Sequence, residues 1–489
     1  MSEPTPNPPS GHYDLIAVGG GSGGLGAAGI ARTFGLRTLL VEARVENIGG
    51  DCLNYGCVPS KALVHVSRLA RAAADARAYG LEVGGRVDFA AALRHVHAAQ
   101  DRIREHENAD WLRARDHQDV AIGWARFTGE AELAVGDRRY TARRIVLATG
   151  SRPRRLDVPG VDELGERLHT NHSFFARERA LPRRLLVVGG GAIACELGQA
   201  MARLGSEVTV VNRGDRLLAR ELPRYSATLQ ERLEREGVEV FHRAEVARFE
   251  GGDVAVCETL GRTWRVPFDE CLVAIGRDAS VRDMDLAVAG VAVDEHGVLR
   301  VDDRYRTTNP RVFAVGDAMG REMFSHGAEL HNRDLIVNML SPVERRHSLE
   351  RFSWVTFTDP EVATFGLTAE QLTERGADFD TIEQPFAEDD RAIAGGYADE
   401  AHLTLYVEPR RLGGARILGG SMIAPHAGEL IQELVLALHV GASVNDLFGK
   451  LYAYPVATRI NQKAAFAYRQ GGLGDGLKSA IRWWWRRGG

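Results

Sequence analysis

The sequence predicts an α/β protein of two doubly wound units, the second inserted into the first, followed by a smaller α+β domain. Three observations predict it. Text of the form strand, glycine turn, helix, strand occurs twice, once from Tyr13 and again from Leu185. Two further short apolar strands stop on glycine, at 145–150 and 312–316, and they bracket the second unit, so the first is discontinuous. After about Phe352 the texture changes: FSWVTFTDPEVATFGLT and AHLTLYVEP alternate like antiparallel strands, and GELIQELVLALHV reads as an amphipathic helix.

The expected order is a disordered leader at 1–12, a first domain at 13–153 and 279–348, a second at 154–278, a third at 349–470, and a Trp/Arg-rich tail at 471–489. A chain of 489 residues has room for about three domains of roughly 150 residues each. With 44 % apolar and 26 % charged residues it fits an ordinary globular enzyme. A net charge of -5 gives no broad basic surface, so nucleic acid is not expected as a partner. Five cysteines are too few, and odd in number, for a secreted disulfide framework. MSEPTPNPPSGH has neither a basic start nor an apolar run and does not read as a signal peptide. No uncharged apolar run is long enough to span a bilayer. The expected compartment is the cytoplasm, where a disulfide is more often catalytic than structural.

YDLIAVGGGSGGLGAAGIARTFGLRTLLVEA opens with an apolar strand at 13–18. Gly19, Gly21 and Gly24 then form G-x-G-x-x-G, Ala-rich helical text follows, and a strand at 38–41 ends on Glu42. Each position has a physical reason. The first glycine turns, the second admits a pyrophosphate to the backbone, the third packs helix on strand, and Glu42 stands where a carboxylate accepts ribose hydroxyls. The unit therefore reads as a Rossmann-type dinucleotide site. LPRRLLVVGGGAIACELGQAMARLGSEVTVVNRGDR repeats it with Gly189, Gly191 and Ala194 and a strand at 207–211. Two such units imply two dinucleotides in electron contact. The strand at 312–316 adds Asp317 where a strand end meets a ligand. GGDCLNYGCVPSKAL (49–63) sets Cys52 and Cys57 five apart, between a Gly-Gly turn and a Pro-Ser helix start. A redox couple, a metal clip and two small buried residues all remain open at this point.

The ordered motifs resemble those of the pyridine nucleotide–disulfide oxidoreductase flavoproteins, a family that includes glutathione reductase, dihydrolipoamide dehydrogenase and mercuric reductase. They run from Gly19-x-Gly-x-x-Gly24 through Cys52-x4-Cys57-Val-Pro-Ser-Lys61, ATG at 148–150, the second unit up to Glu196, AIGR at 274–277 and VFAVGD at 312–317. FTDPEVATFGLT and MIAPHAGELIQE extend the resemblance through the third domain, to about Phe466. It implies FAD in the first unit, NAD(P)H in the second, and a homodimer formed through the third domain. It also implies the redox reading of Cys52–Cys57. An interval of five does not suit one face of a regular helix, but the bridge can close across the distorted start of the Pro59–Ser60 helix. A helix N-terminus favours the thiolate. No nearby His or Cys completes a metal site, and no metal-binding residue is assigned.

Roles follow from the resemblance residue by residue. Cys57 corresponds to the thiolate beside the flavin and Cys52 to the thiol that attacks substrate. Lys61 and Glu196 match an ion pair beside the flavin ring, and Asp317 matches the acid on the ribityl chain. His326, in SHGAEL, falls near the pyrimidine end. Gly50, Asp51, Thr149, Gly150 and Gly276 complete the cofactor-binding motifs. Cys195, Cys257 and Cys271 read as small core residues.

Three departures qualify the resemblance. The second unit's strand ends on Asn212 and Arg213, with Arg216 and Arg220 nearby, where an NAD site carries an acid. That favours NADPH, with NADH the less favoured nucleotide, and Ala194 points the same way. In LYAYPVATRI, dithiol-handling members carry His-Pro and a Glu five residues after the His, whereas this chain has Tyr454-Pro455 and Arg459. A phenol with a pKa near 10 cannot shuttle protons at neutral pH as imidazole does. Mercuric reductases share the tyrosine, but the vicinal cysteine pair and metal-collecting N-terminal domain of those enzymes have no counterpart in this text. Third, Asp51 stands where the family usually has Thr, and an unpaired acid there would raise the pKa of Cys52.

The sequence is thus read as an FAD-containing, NADPH-dependent oxidoreductase whose Cys52–Cys57 couple passes electrons to a metal ion, disulfide or quinone. The alternatives are a dihydrolipoamide dehydrogenase with a relocated base and a low-turnover FAD/NADPH-binding sensor. The tail mixes Ile481 and Trp483–Trp485 with basic residues. It suits either peripheral membrane contact or packing against the enzyme body.

Overall fold

The computed structural model describes residues 6–177, 179–342, 344–410, 414–471 and 475–487. The chain clusters into two compact units, Met1–Leu217 with Leu233–His347, and Leu218–Arg232 with Ser348–Gly489. The two expected dinucleotide domains therefore share one unit, while a short stretch of the second domain, Leu218–Arg232, clusters with the third.

In the first unit, the strand Gly11–Val18 pairs in parallel with Thr38–Glu42 on one side and Arg138–Leu147 on the other. Asp119–Ile122 and Val312–Ala314 extend this parallel sheet, and Glu132–Val135 and Ala125–Gly129 add an antiparallel edge. The strands are apolar on both faces because both are covered, with Ile16, Leu39, Leu40, Ile145 and Val146 fully buried. The inserted domain has its own parallel sheet, in the order Glu239–His242, Glu207–Asn212, Arg184–Val188, Glu270–Val273, Leu168–His169. It also carries a three-stranded antiparallel meander from Glu245 to Pro267. The chain enters and leaves the insertion side by side, through the antiparallel pair Ser151–Pro153 and Arg277–Ala279.

Part of the expected leader is structured. Residues 1–5 lie outside the described residues, but the Asn7 side chain exchanges two hydrogen bonds with the Ile122 backbone, and Tyr140 Oη donates to Pro8 O. These contacts fasten the chain to the sheet just before the first strand.

The second unit holds a five-stranded antiparallel sheet in the order Ser353–Thr356, Glu361–Gly366, Gly414–Ala424, His402–Arg410, Asp380–Pro385. Its covered face buries Phe365, Leu403, Leu405, Ile417 and Met422 against Leu434 and Ile460 of two helices, Gln432–Val440 and Arg459–Gly471. Glu221 and Tyr225, from the stretch contributed by the second domain, bond to this sheet at Trp354, Thr364 and Thr404. That bonding accounts for the placement of Leu218–Arg232 with this unit.

Candidate active site

The first glycine turn is closed by a second chain segment. Gly19 has φ +114°, and a Cβ there would stand 2.1 Å from Ala148 O. A Cβ on Gly24 would stand 1.8 Å from Gly19 O, so the helix Ser22–Thr33 packs on the turn only without one. Gly49 N donates to Gly20 O at 2.9 Å, and Gly50, at φ +63°, comes so near Gly21 that a Cβ would lie 2.5 Å from Gly21 Cα. Backbone without side chains is what a pyrophosphate needs, and the two segments form such a cradle. Glu42 is buried, its carboxyl pushed up by burial, and it accepts from Gly20 N at 2.6 Å. Thr149 Oγ1 is buried and has no hydrogen-bond partner, an orphan beside the positive-φ Gly150. Burial also raises the Asp317 carboxyl, which accepts from Ser151 Oγ at 2.5 Å.

The cradle segment runs directly into the cysteines. Gly50–Asn54 is a short helix carrying Cys52, and the longer helix Cys57–Asp75 begins at Cys57. Both cysteines are half-buried thiols in this structure. Cys57 is lowered to about 6, chiefly by the hydrogen bond from Cys52, against the effect of burial, with Ser325 and the Lys61 charge adding. The same hydrogen bond and burial push Cys52 up, and the Glu107 carboxylate adds to the rise. The pair is therefore asymmetric: its surroundings favour the anion at Cys57 and the protonated thiol at Cys52. Lys61, one turn into the helix, is 2.7 Å from Glu196 of the helix Ala192–Leu204, whose side chain is buried. This ion pair ties the cysteine helix to the inserted domain.

Asp51 is fully compensated. Arg277 Nη2 lies 2.9 Å and His172 Nε2 2.7 Å from its carboxylate, and Asn171 Nδ2 donates to it at 3.2 Å. Arg277 also donates to Ser151 Oγ, so one guanidinium spans the cysteine loop and the group that holds Asp317. Arg277 closes the AIGR motif at 274–277, whose pattern alone gives it no role, and nothing in the sequence around His172 marks that residue.

Other residues missed from sequence complete the picture. Ser325 Oγ lies 3.2 Å from Cys57 Sγ, immediately before the predicted His326, which is itself exposed with its ring 5.4 Å from Phe324. Glu107 is placed by the end of the helix Phe89–Arg104, where Gln100 donates to Leu53 O and Asn54 O and Arg104 donates to Asn54 Oδ1. Its carboxyl is raised by burial. Glu322, His331 and His347 bring one donor atom each within 4.8 Å of one another. His331 Nδ1 accepts from Gly316 N at 3.0 Å, so the proton of the neutral ring is on Nε2, which is unsuited to a cation. This cluster braces the Asp317 turn.

In the second nucleotide unit, Gly189 has φ +127° and its Cβ would meet Ala274 O at 2.3 Å, whereas nothing lies within 4 Å of a Cβ on Gly191. Ala194 is buried, and Gly276 takes φ +112°. The Asn212 side chain is occupied by its own turn: Nδ2 donates to Arg216 O and Oδ1 accepts from Gly214 N. Arg213 is exposed and lines a cavity of about 360 Å³ together with Arg243 and Arg262, with Glu245 and Glu258 at its wall. Tyr454 belongs to the second unit, 68 % exposed, with the Arg459 guanidinium 5.3 Å from its ring centre.

Residues 13–331 match the pyridine nucleotide-disulphide oxidoreductase family. The chain belongs to it. Residues 352–465 match the dimerisation domain of the same family, which supports a homodimer. A dihydrolipoyl dehydrogenase of Thermus scotoductus is 32 % identical over 464 residues, 93 % of this chain and 97 % of that one. A mercuric reductase of Bacillus cereus is 30 % identical over 441 residues, 89 % of this chain and 68 % of that one. Among solved structures, the Cu(II) complex of the HOCl-induced flavoprotein disulfide reductase RclA from Escherichia coli superposes with a TM-score of 0.80, over 94 % of this chain and 99 % of that one. At 23 % identity it shares the fold. This disulfide oxidoreductase is an FAD enzyme, and the first unit fits the cofactor: a cradle closed to any Cβ, an orphaned Thr149 hydroxyl, and a half-buried acid at Asp317. On the dimerisation domain Leu436, Val440, Leu451, Tyr454 and Phe466 stand exposed, an apolar set of the kind a partner subunit buries.

Proposed function

We propose that the enzyme moves two electrons from NADPH through FAD to the Cys52–Cys57 disulfide, and from the resulting dithiol to a small acceptor. The observation that carries this is the asymmetric thiol pair seated beside the Lys61–Glu196 ion pair. FAD bound in the first unit would supply two-electron exchange between a reduced nicotinamide and a disulfide. Opening the disulfide takes up two electrons and one proton; the proton stays on Cys52 and Cys57 is left as the anion. Lys61 and Ser325 steady that charge, and Glu196 holds the Lys61 ammonium in place. Cys52 then attacks the acceptor or hands it electrons. A metal ion, a disulfide and a quinone all suit this chemistry, and mercuric reductases among the relatives support the first.

NADPH is favoured over NADH by the three arginines gathered on one cavity at the end of the strand Glu207–Asn212, where an NAD site would present an acid. Among the described residues none of these three side chains has an ion pair or hydrogen bond, so their charge is available to a 2′-phosphate.

A second reading, dihydrolipoamide oxidation with a relocated base, rests on Glu107. This raised, half-buried carboxyl is near enough to Cys52 for its charge to be felt there. It could take up the proton that Tyr454 cannot.

Rapid mixing with NADPH tests the main reading. The wild-type enzyme should develop the long-wavelength absorbance of a thiolate against flavin. Cys57→Ser should lack it, and Cys52→Ser should show it without reduction. The folded-state pKa of Cys57 lies below the ordinary thiol value, so the band should persist above about pH 6 and fade as pH drops through it. Identical spectra from both serine variants would defeat the assignment. Brisk turnover of dihydrolipoamide, lost in Glu107→Gln, would favour the second reading.

A further inference from the structure

We propose that the helix Asp475–Arg486 is a surface anchor that seats in the headgroup layer of an anionic lipid bilayer. The helix is amphipathic: Ala480, Ile481, Trp484 and Trp485 recur at the spacing of one face, and Lys478, Ser479, Arg482 and Arg486 take the other. Its large apolar side chains are uncovered. Ile481 is 51 % exposed, Trp483 57 %, Trp484 61 % and Trp485 76 %, and none of them joins the core of the second unit.

Two features select lipid over a protein surface. Consecutive residues turn by about 100° on a helix, so the three adjacent indoles fan over roughly 200° of its circumference. A rigid protein face would cover two of them, whereas a fluid headgroup layer, the region indole prefers, receives all three. The charges agree. Lys478, Arg482, Arg486 and Arg487 surround the indoles, and Asp475 is the one acid of the segment, in a chain whose net charge is -5. Arg487 lies 4.1 Å from the Trp483 ring centre, on the flank where the polar and apolar faces meet. No helix among the described residues is long and apolar enough to cross a membrane, so this one would lie on it.

The test is co-sedimentation of the FAD-loaded full chain with two kinds of vesicle, pure phosphatidylcholine and a phosphatidylcholine–phosphatidylglycerol mixture. Binding is expected to the mixed vesicles only, and to weaken as salt is added. Trp484→Ala with Trp485→Ala, and separately Arg482→Gln with Arg486→Gln, should each reduce it about tenfold or more. Flavin reduction by NADPH serves as the check that each variant is folded. Equal binding to both vesicles, or none to either, overturns the proposal. So does a segment deletion that leaves vesicle binding unchanged, or one that splits a dimer in mass photometry, which would make a second copy of this chain the occupant.

Discussion

The two nucleotide units begin alike and end differently. In both, the first glycine turns under the carbonyl of a neighbouring strand end, Ala148 in one and Ala274 in the other, with no room for a Cβ. The difference lies on the opposite side. Gly49 and Gly50 close over the first turn, bonded to Gly20 and touching Gly21, whereas the second turn is open at Gly191. The third position repeats the contrast, a glycine jammed against Gly19 O in the first unit and a buried alanine in the second. A site closed by a second chain segment suits a cofactor that stays, and an open one suits a nucleotide that enters and leaves at each turnover. The closing segment is also the segment that carries Cys52, so the closure of the first turn and the placement of the cysteines come from one stretch of chain.

The largest expected effect breaks the closed side. Gly50→Ala places a Cβ 2.5 Å from Gly21 Cα at φ +63°, and Gly24→Ala places one 1.8 Å from a backbone oxygen. Each should cost about 1–3 kcal/mol or more in overpacking strain and release FAD on purification. Flavin absorbance relative to protein is the readout; full flavin content in Gly50→Ala would mean the cradle is not closed as described.

How much of this was legible in the text depends on the range of the interaction. Both glycine turns, the insertion and the change to antiparallel strands after Phe352 were readable because each is written in local spacing. The Lys61–Glu196 pair was legible only through the family resemblance, since its partners lie far apart in sequence. The clamp on Asp51 was not legible at all: Arg277, His172 and Asn171 reach it from segments more than a hundred residues away, and no periodicity announces such a meeting. Asn212 shows the opposite limit. Its position at the strand end suggested a ligand contact, but its amide is used by the turn it begins. The membership of Leu218–Arg232 was hidden for the same reason as the clamp, because Glu221 and Tyr225 bond to strands more than a hundred residues further on.

The next effect sharpens the open side. Arg213→Ala should cost NADPH binding about 1–3 kcal/mol, as expected for a lost hydrogen bond to a charged group, with little change for NADH. Arg243→Ala should weaken NADPH by a smaller margin, because Arg243 reaches the cavity from the end of the neighbouring strand Glu239–His242 and not from the strand that leads into Arg213. Equal kcat/KM for the two nucleotides in the unaltered enzyme would remove the basis for both.

A smaller effect is expected at the join between the two functions of the closing segment. Glu107→Gln keeps the size of the side chain and removes its titration. Reduction of the flavin by NADPH should be unchanged, while under the second reading dithiol oxidation should fall by about tenfold, below the roughly 10²–10⁴-fold of a fully committed acid–base group because solvent also takes the proton, and lose its acid-side pH dependence. A flat comparison of pH profiles would leave the Cys52 proton to solvent.

The smallest structural effect should come from Gly191→Ala, and it discriminates between the two units most cleanly. Nothing lies within 4 Å of the added methyl, and Gly191 is not among the positive-φ glycines. Flavin content and thermal stability should therefore match the unaltered enzyme, in contrast with Gly24→Ala. The methyl would still point into the space that a nicotinamide dinucleotide's pyrophosphate approaches, so KM for NADPH should rise while kcat, once the site is saturated, changes little. A Gly191→Ala protein that loses FAD would show that the second turn is as constrained as the first. One that binds NADPH normally would place the pyrophosphate away from this turn, and the open site would then have to be sought elsewhere along the end of the parallel sheet.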